Sequence, residues 1–107
     1  NFTKTILSDS RLELLNAKQQ IEVKVNTAIN EFETVQSQVQ VFSRTTQDYF
    51  RLLQGERELF DGGESSLFMI NSRELGYINA QIKLNELSVK GQKARLKAYY
   101  ALGVLPN

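Results

Sequence analysis

Between Ile21 and Phe42 apolar residues recur at alternating steps of four and three, at Ile21, Val25, Ala28, Phe32, Val35, Val39 and Phe42. An α-helix gathers such positions into one stripe, and the four-three alternation is that of a coiled-coil seam. A second ladder opens after Gly62-Gly63 and runs through Phe68, Leu75, Ile78, Ile82, Val89, Leu96 and Tyr99, with polar Asn71, Asn85 and Gln92 on the same steps. Two such ladders separated by a glycine pair predict an all-α chain: a long antiparallel two-helix coiled-coil hairpin, forming a single unit over residues 1–107.

The first helix is expected over about residues 10–60. Ser10 followed by Glu13 fits a capping box, and no periodicity precedes it. Some 50 residues without Pro far exceed the usual globular helix of about 10–14. Gly55 interrupts the pattern and predicts a local loosening, at roughly 1 kcal/mol relative to Ala. The turn is expected at about 61–65, where one Gly takes the left-handed position, Ser65 or Ser66 caps the returning helix, and Glu64 adds a favourable charge there. The second helix should then run over about 66–102, stopped by Gly103 and Pro106. Lys90, Lys93, Arg95 and Lys97 gather toward its C-terminal end, where positive charge suits the helix dipole.

Folding the chain about the glycines predicts a register. Leu53 should meet Leu75, Tyr49 meet Ile78, Thr46 meet Ile82, Val39 meet Val89, Phe32 meet Leu96 and Ala28 meet Tyr99, with residue numbers summing to about 127–128 throughout. Asn85 then falls opposite Phe42 and Gln92 opposite Val35, at the edge of the seam with their amides in water. Two features exceed what a lone hairpin uses. Leu12, Leu14, Leu15 and Ile21 project past the end of the second helix. The second helix also carries another stripe, Tyr77, Ala80, Leu84, Leu87, Gly91, Ala94, Ala98 and Ala101, whose small residues permit close approach by a further helix. The expectation is a hairpin that serves as one stave of a larger helical wall.

Composition narrows the chemistry. Neither Cys nor His occurs, so there are no disulfides or thiolate sites, and the commonest general base and metal ligand are missing. Two exposed helices offer no pocket in which to desolvate a nucleophile, and neither an enzyme, a metal site nor a cofactor is expected. With 13 basic and 12 acidic residues the formal charge is +1, which provides no field for nucleic acid or an anionic membrane surface. No stretch approaches the roughly 18–20 apolar residues that a spanning helix requires. The chain opens on Asn1 rather than Met, as expected of an excised or processed piece.

The turn and second helix carry a resemblance. Phe60-Asp61-Gly62-Gly63-Glu64-Ser65-Ser66-Leu67-Phe68, followed by Asn71-Ser72-Arg73-Glu74, Ala80-Gln81 and the closing Tyr99-Tyr100-Ala101-Leu102-Gly103-Val104-Leu105, resembles the outer membrane efflux protein family, the TolC-like channels of Gram-negative bacteria. The likeness covers about Leu12 to Leu105 and rests on heptad pattern before Phe60. It implies the C-terminal hairpin of a periplasmic α-barrel, a homotrimer in the full-length protein, with outer membrane contact only through β-barrel segments absent here. It further implies a periplasmic adaptor, or membrane fusion protein, docking at the tip Phe60, Asp61, Gly62, Gly63, Glu64, Ser65, Ser66 and Leu67, and through it an inner membrane transporter.

The tip residues suit such docking: short polar groups flanked by apolar Phe60 and Leu67. Glu56, Glu58, Asp61 and Glu64 make the region locally acidic, offset by Arg57 and Arg73. Arg73 and Glu74 are expected to form a salt link that holds the tip closed. The competing reading is a structural or scaffolding coiled coil without a transport role, dimerising through the second stripe. A plain dimeric coil would favour Leu at alternate seam positions, whereas this one mixes Ala, Thr, Phe and Tyr. An amphipathic hairpin lying on a membrane does not fit the first helix's mixed charge and Gln-rich middle, Gln36, Gln38, Gln40 and Gln47.

Overall fold

A computed structural model describes residues 1–103, and these are helical but for Asn1 and a short turn: α1 spans Phe2–Asp61 and α2 spans Leu67–Gly103. The expected stop at Pro106 and the closing Val104-Leu105 lie outside the described residues. Two compact units divide the chain, one of Thr34–Gln92 and the other of Asn1–Glu33 with Lys93–Asn107.

α1 starts eight residues before the expected Ser10. Asn1 is its cap: the side-chain Oδ1 accepts from the Thr3 amide at 3.4 Å, and the Asn1 carbonyl accepts from the Thr5 amide at 3.1 Å. Nothing between Thr3 and Asp9 stops a helix, since that stretch holds neither Gly nor Pro, so Ser10 and Glu13 lie inside it. The helix also passes through Gly55 without a break.

In the turn-bearing unit, α1 and α2 run antiparallel with the expected register. Phe50 stacks obliquely on Tyr77 at 5.2 Å between ring centres, a Cβ placed on Gly76 would meet the Tyr49 ring at 3.1 Å, and one on Gly91 would meet Val35 at 3.4 Å. These partner numbers sum to about 125–127, close to the value read from the ladders.

The face that α2 turns inward is the other one. Ile70, Ala80 and Leu87 are buried against α1, each less than 9% exposed, while Phe68, Leu75, Ile78, Ile82 and Val89 remain 48–78% exposed. Neighbours in the two stripes, such as Ile82 and Ala80 or Val89 and Leu87, lie two residues apart, which is about 200° around a helix of 3.6 residues per turn. The pairings of Leu75, Ile78, Ile82 and Val89 with α1 are therefore overturned, and Asn85 and Gln92 sit on the outer side, exposed. The reason is bulk. α1 contributes Phe42, Tyr49, Val35 and Leu53, and small Gly76, Ala80 and Gly91 let the helix axes approach closely around them. Leu, Ile and Val on both sides of the seam would hold the helices apart.

The α1 seam follows its ladder, with Val35 and Leu53 buried and Val39 and Phe42 half-buried. Thr46 occupies a buried seam position because its hydroxyl donates to the Phe42 carbonyl at 2.7 Å, so no polar group is left unpaired.

The second unit repeats the arrangement. Val25 and Ala28 on α1 and Ala94 and Ala98 on α2 are buried, and Lys97 pairs with Glu31 at 3.4 Å. Leu96 and Tyr99, expected against Phe32 and Ala28, face outward, with Arg95 over the Tyr99 ring. Leu12, Leu14 and Leu15 are exposed as expected. Ile21 is half-buried, lining with Val25, Ala28, Lys97 and Ala101 an apolar groove of about 600 Å³.

Candidate functional site

The turn is built from three local devices. Asp61 is the last residue of α1, and Gly62 and Gly63 close it: the Gly62 amide donates to the Glu58 carbonyl at 3.1 Å, Gly63 to Phe60 at 3.0 Å, and Glu64 to Leu59 at 2.7 Å. These 5→1, 4→1 and 6→1 bonds satisfy carbonyls that a helix end leaves without partners. Gly63 takes a φ of 79°, the only positive value among the described residues. At the far side Ser66 caps α2, its Oγ accepting from the Met69 amide at 3.2 Å. Of the two serines considered as caps, the structure selects Ser66.

Gly63→Ala places a side chain in the left-handed region, where an L-residue is disfavoured by about 1–2 kcal/mol. The expected result is a loss of about 1 kcal/mol in urea unfolding. Gly62→Ala, at a helical-side position with no close neighbour beyond its own turn, should change stability by less than half as much.

The tip residues lie together and are mostly exposed: Phe60, Asp61, Gly62, Gly63, Glu64, Ser66 and Leu67 all face water, and Ser65 is half-buried. Arg73 and Glu74 do not pair with each other. Each reaches across to α1, Arg73 Nε to Glu56 Oε1 at 3.3 Å and Arg57 Nη2 to Glu74 Oε1 at 3.4 Å. Adjacent residues on a helix point about 100° apart, which separates the two side chains and aims each at a different neighbour on α1. The Arg57–Glu74 pair is open to solvent on both sides and contributes little to stability.

Glu56 is the residue that reading the region as solvated acid misses. It is 7% exposed, and besides Arg73 it accepts a hydrogen bond from Ser65 Oγ at 2.8 Å. The ladder holds the signal for it: three steps past Leu53 falls on Glu56, and the register places Arg73 opposite.

Beside this network α1 presents an open groove of about 510 Å³, with Leu52, Gly55 and Leu59 as its apolar floor and Asp48, Arg51, Glu56 and Arg73 around it. Leu52, Gly55, Glu56 and Leu59 stand at i, i+3, i+4 and i+7, the four-residue diamond that receives a knob from a facing helix. A Cβ on Gly55 would meet nothing within 4 Å, so the centre of that diamond is vacant.

No described helix is long and apolar enough to cross a membrane. Comparisons with protein-family models, with curated proteins and with solved structures found no match.

Proposed function

We propose that the chain is the tunnel-forming periplasmic hairpin of a trimeric TolC-like outer membrane efflux or secretion channel, with the turn as the tip that docks a periplasmic adaptor and takes part in gating. One observation carries this reading: with its small-residue face already occupied by α1, α2 still presents Phe68, Leu75, Ile78, Ile82 and Val89 to solvent on the opposite side. A helix apolar on two opposite faces is made for two helical neighbours, and one hairpin supplies only one. The turn supports the docking role, with short polar groups and exposed Phe60 and Leu67 at its edges. The vacant diamond around Gly55 offers a partner helix a place to seat a side chain. Catalysis has no part in the proposal: the hairpin's work is to wall, to dock and to open.

The test is compartment and size. Antiserum raised against the hairpin should detect, in fractionated source cells, an outer membrane protein several-fold larger than the 12.2 kDa of this chain. A soluble cytosolic antigen of any size overturns the proposal and leaves the scaffolding coiled coil.

A further inference from the structure

Glu56 sets this hairpin apart from a plain coiled coil, for it is the one charged residue among those described that is buried. A carboxylate removed from water is strongly destabilising unless it is hydrogen-bonded and charge-compensated. Both needs are met from beyond α1. Ser65 of the turn donates to one oxygen and Arg73 of α2 to the other, so a single side chain ties three consecutive pieces of the fold. The turn's other fastenings sit at its two ends, the glycine closure of α1 and the Ser66 cap of α2. Ser65 lies between them.

The pair is asymmetric in access. The Arg73 side chain is 37% exposed against 8% for Glu56, and Arg73 borders the groove floored by Leu52, Gly55 and Leu59. An acidic group arriving at the groove therefore meets the guanidinium first. Arg binds a carboxylate through a planar fork of donors and can exchange one carboxylate partner for another at little change in geometry.

We propose that Glu56 is a latch that positions the turn and that a carboxylate brought to Arg73 by a docking helix releases it. With the latch seated, Ser65 and Arg73 hold residues 61–66 in one arrangement. With Arg73 drawn away, Glu56 is left buried without its counter-charge, and it escapes to water by letting the turn move. The biological use of this device rests on the turn being the docking end, as proposed above, whereas the latch itself is a property of the hairpin.

Amide hydrogen exchange on this chain tests it, read at Gly62, Gly63 and Glu64, whose amides are bonded within the turn. Glu56→Gln keeps the shape and an acceptor for Ser65 while removing the charge. It should speed exchange at those three amides by on the order of tenfold, the loss expected for a hydrogen bond to a charged group, with Val35 to Thr46 unchanged. Arg73→Met should do the same. A tetra-glutamate peptide added to the unaltered chain should also speed turn exchange and should have no further effect on Arg73→Met.

Unchanged turn exchange in Glu56→Gln overturns the latch, because the glycine closure and the Ser66 cap then suffice. A uniform rise along both helices also overturns it, making Glu56 a general stabiliser. Absence of any peptide effect overturns release by a carboxylate. None of these outcomes depends on the compartment of the parent protein, so failure here and failure of the channel reading are separable.

Discussion

Replacing Leu87 with Ala lowers the unfolding free energy by about 2–3 kcal/mol, toward the lower end of the range for buried Leu→Ala changes, while Ile82→Ala changes it by less than about 0.5 kcal/mol. Leu87 is 6% exposed and packs in the seam; Ile82 is half in water on the far side of the same helix. Truncating Leu87 removes buried methyl groups and leaves a gap that a two-helix seam, open along its flanks, partly closes. At Ile82 little buried contact is lost, and the better helix propensity of Ala over a β-branched residue offsets some of it. Urea denaturation followed by helical circular dichroism measures both. Equal losses at the two positions, or the larger loss at Ile82, would return the Leu and Ile ladder to the inner face and overturn the seam described here.

The sensitivity reverses once the hairpin has a neighbour. On the proposed reading Ile78 and Ile82 lie against an adjacent helix of the tunnel wall, and Ile78→Glu combined with Ile82→Glu buries two carboxylates without counter-charges. Each such group opposes association by more than about 2 kcal/mol, and at 1.4 kcal/mol per tenfold the pair should reduce assembly by well over 100-fold. The isolated chain with the same two changes should keep its helicity and its unfolding midpoint, because both positions are exposed in it. The measurement is the yield of intact trimer extracted from membranes, set against circular dichroism of the isolated hairpin. Normal trimer from the double variant would remove the outer stripe of α2 from the wall and with it the principal support for the channel proposal.

The two changes at Ile82 thus separate folding from assembly. Loss of methyl groups there is nearly silent in the hairpin, and gain of charge is silent in the hairpin but severe in the assembled protein. A scaffolding coil that dimerised through the small-residue stripe would show a different pattern, because Ala80 and Gly91 are already occupied by α1.

Much of the architecture was legible along the chain. The seam of α1 follows from the spacing of Val25, Ala28, Val35 and Leu53, since a helix converts a four-three spacing into a stripe whatever it packs against. The turn follows from Gly62-Gly63 and the serines after them, because the left-handed position and the N-terminal cap are demands of the backbone that few residue types meet. Register followed as well, since a short turn leaves antiparallel helices no freedom to slide. The start of α1 was equally present in the residues: Asn1 is a good cap and nothing between it and Asp9 breaks a helix, but the weak periodicity there drew the boundary to Ser10.

Tertiary structure alone decided which face of α2 turns inward and what becomes of Glu56. Both stripes of α2 have the helical period, and the more hydrophobic one, with Ile78, Ile82 and Val89, is the one left outside. Periodicity records where apolar residues repeat but not how near two axes can come. That distance depends on the sum of side-chain sizes at every level of the seam, and it is shortest where Gly76, Ala80 and Gly91 lie beneath the bulk of α1. Closeness in turn buries Glu56 and brings Ser65 and Arg73 to it, joining residues 9 and 17 positions away in the chain. The residues themselves prescribed two helices and a turn; the packing of one against the other determined which surface remained for a neighbour.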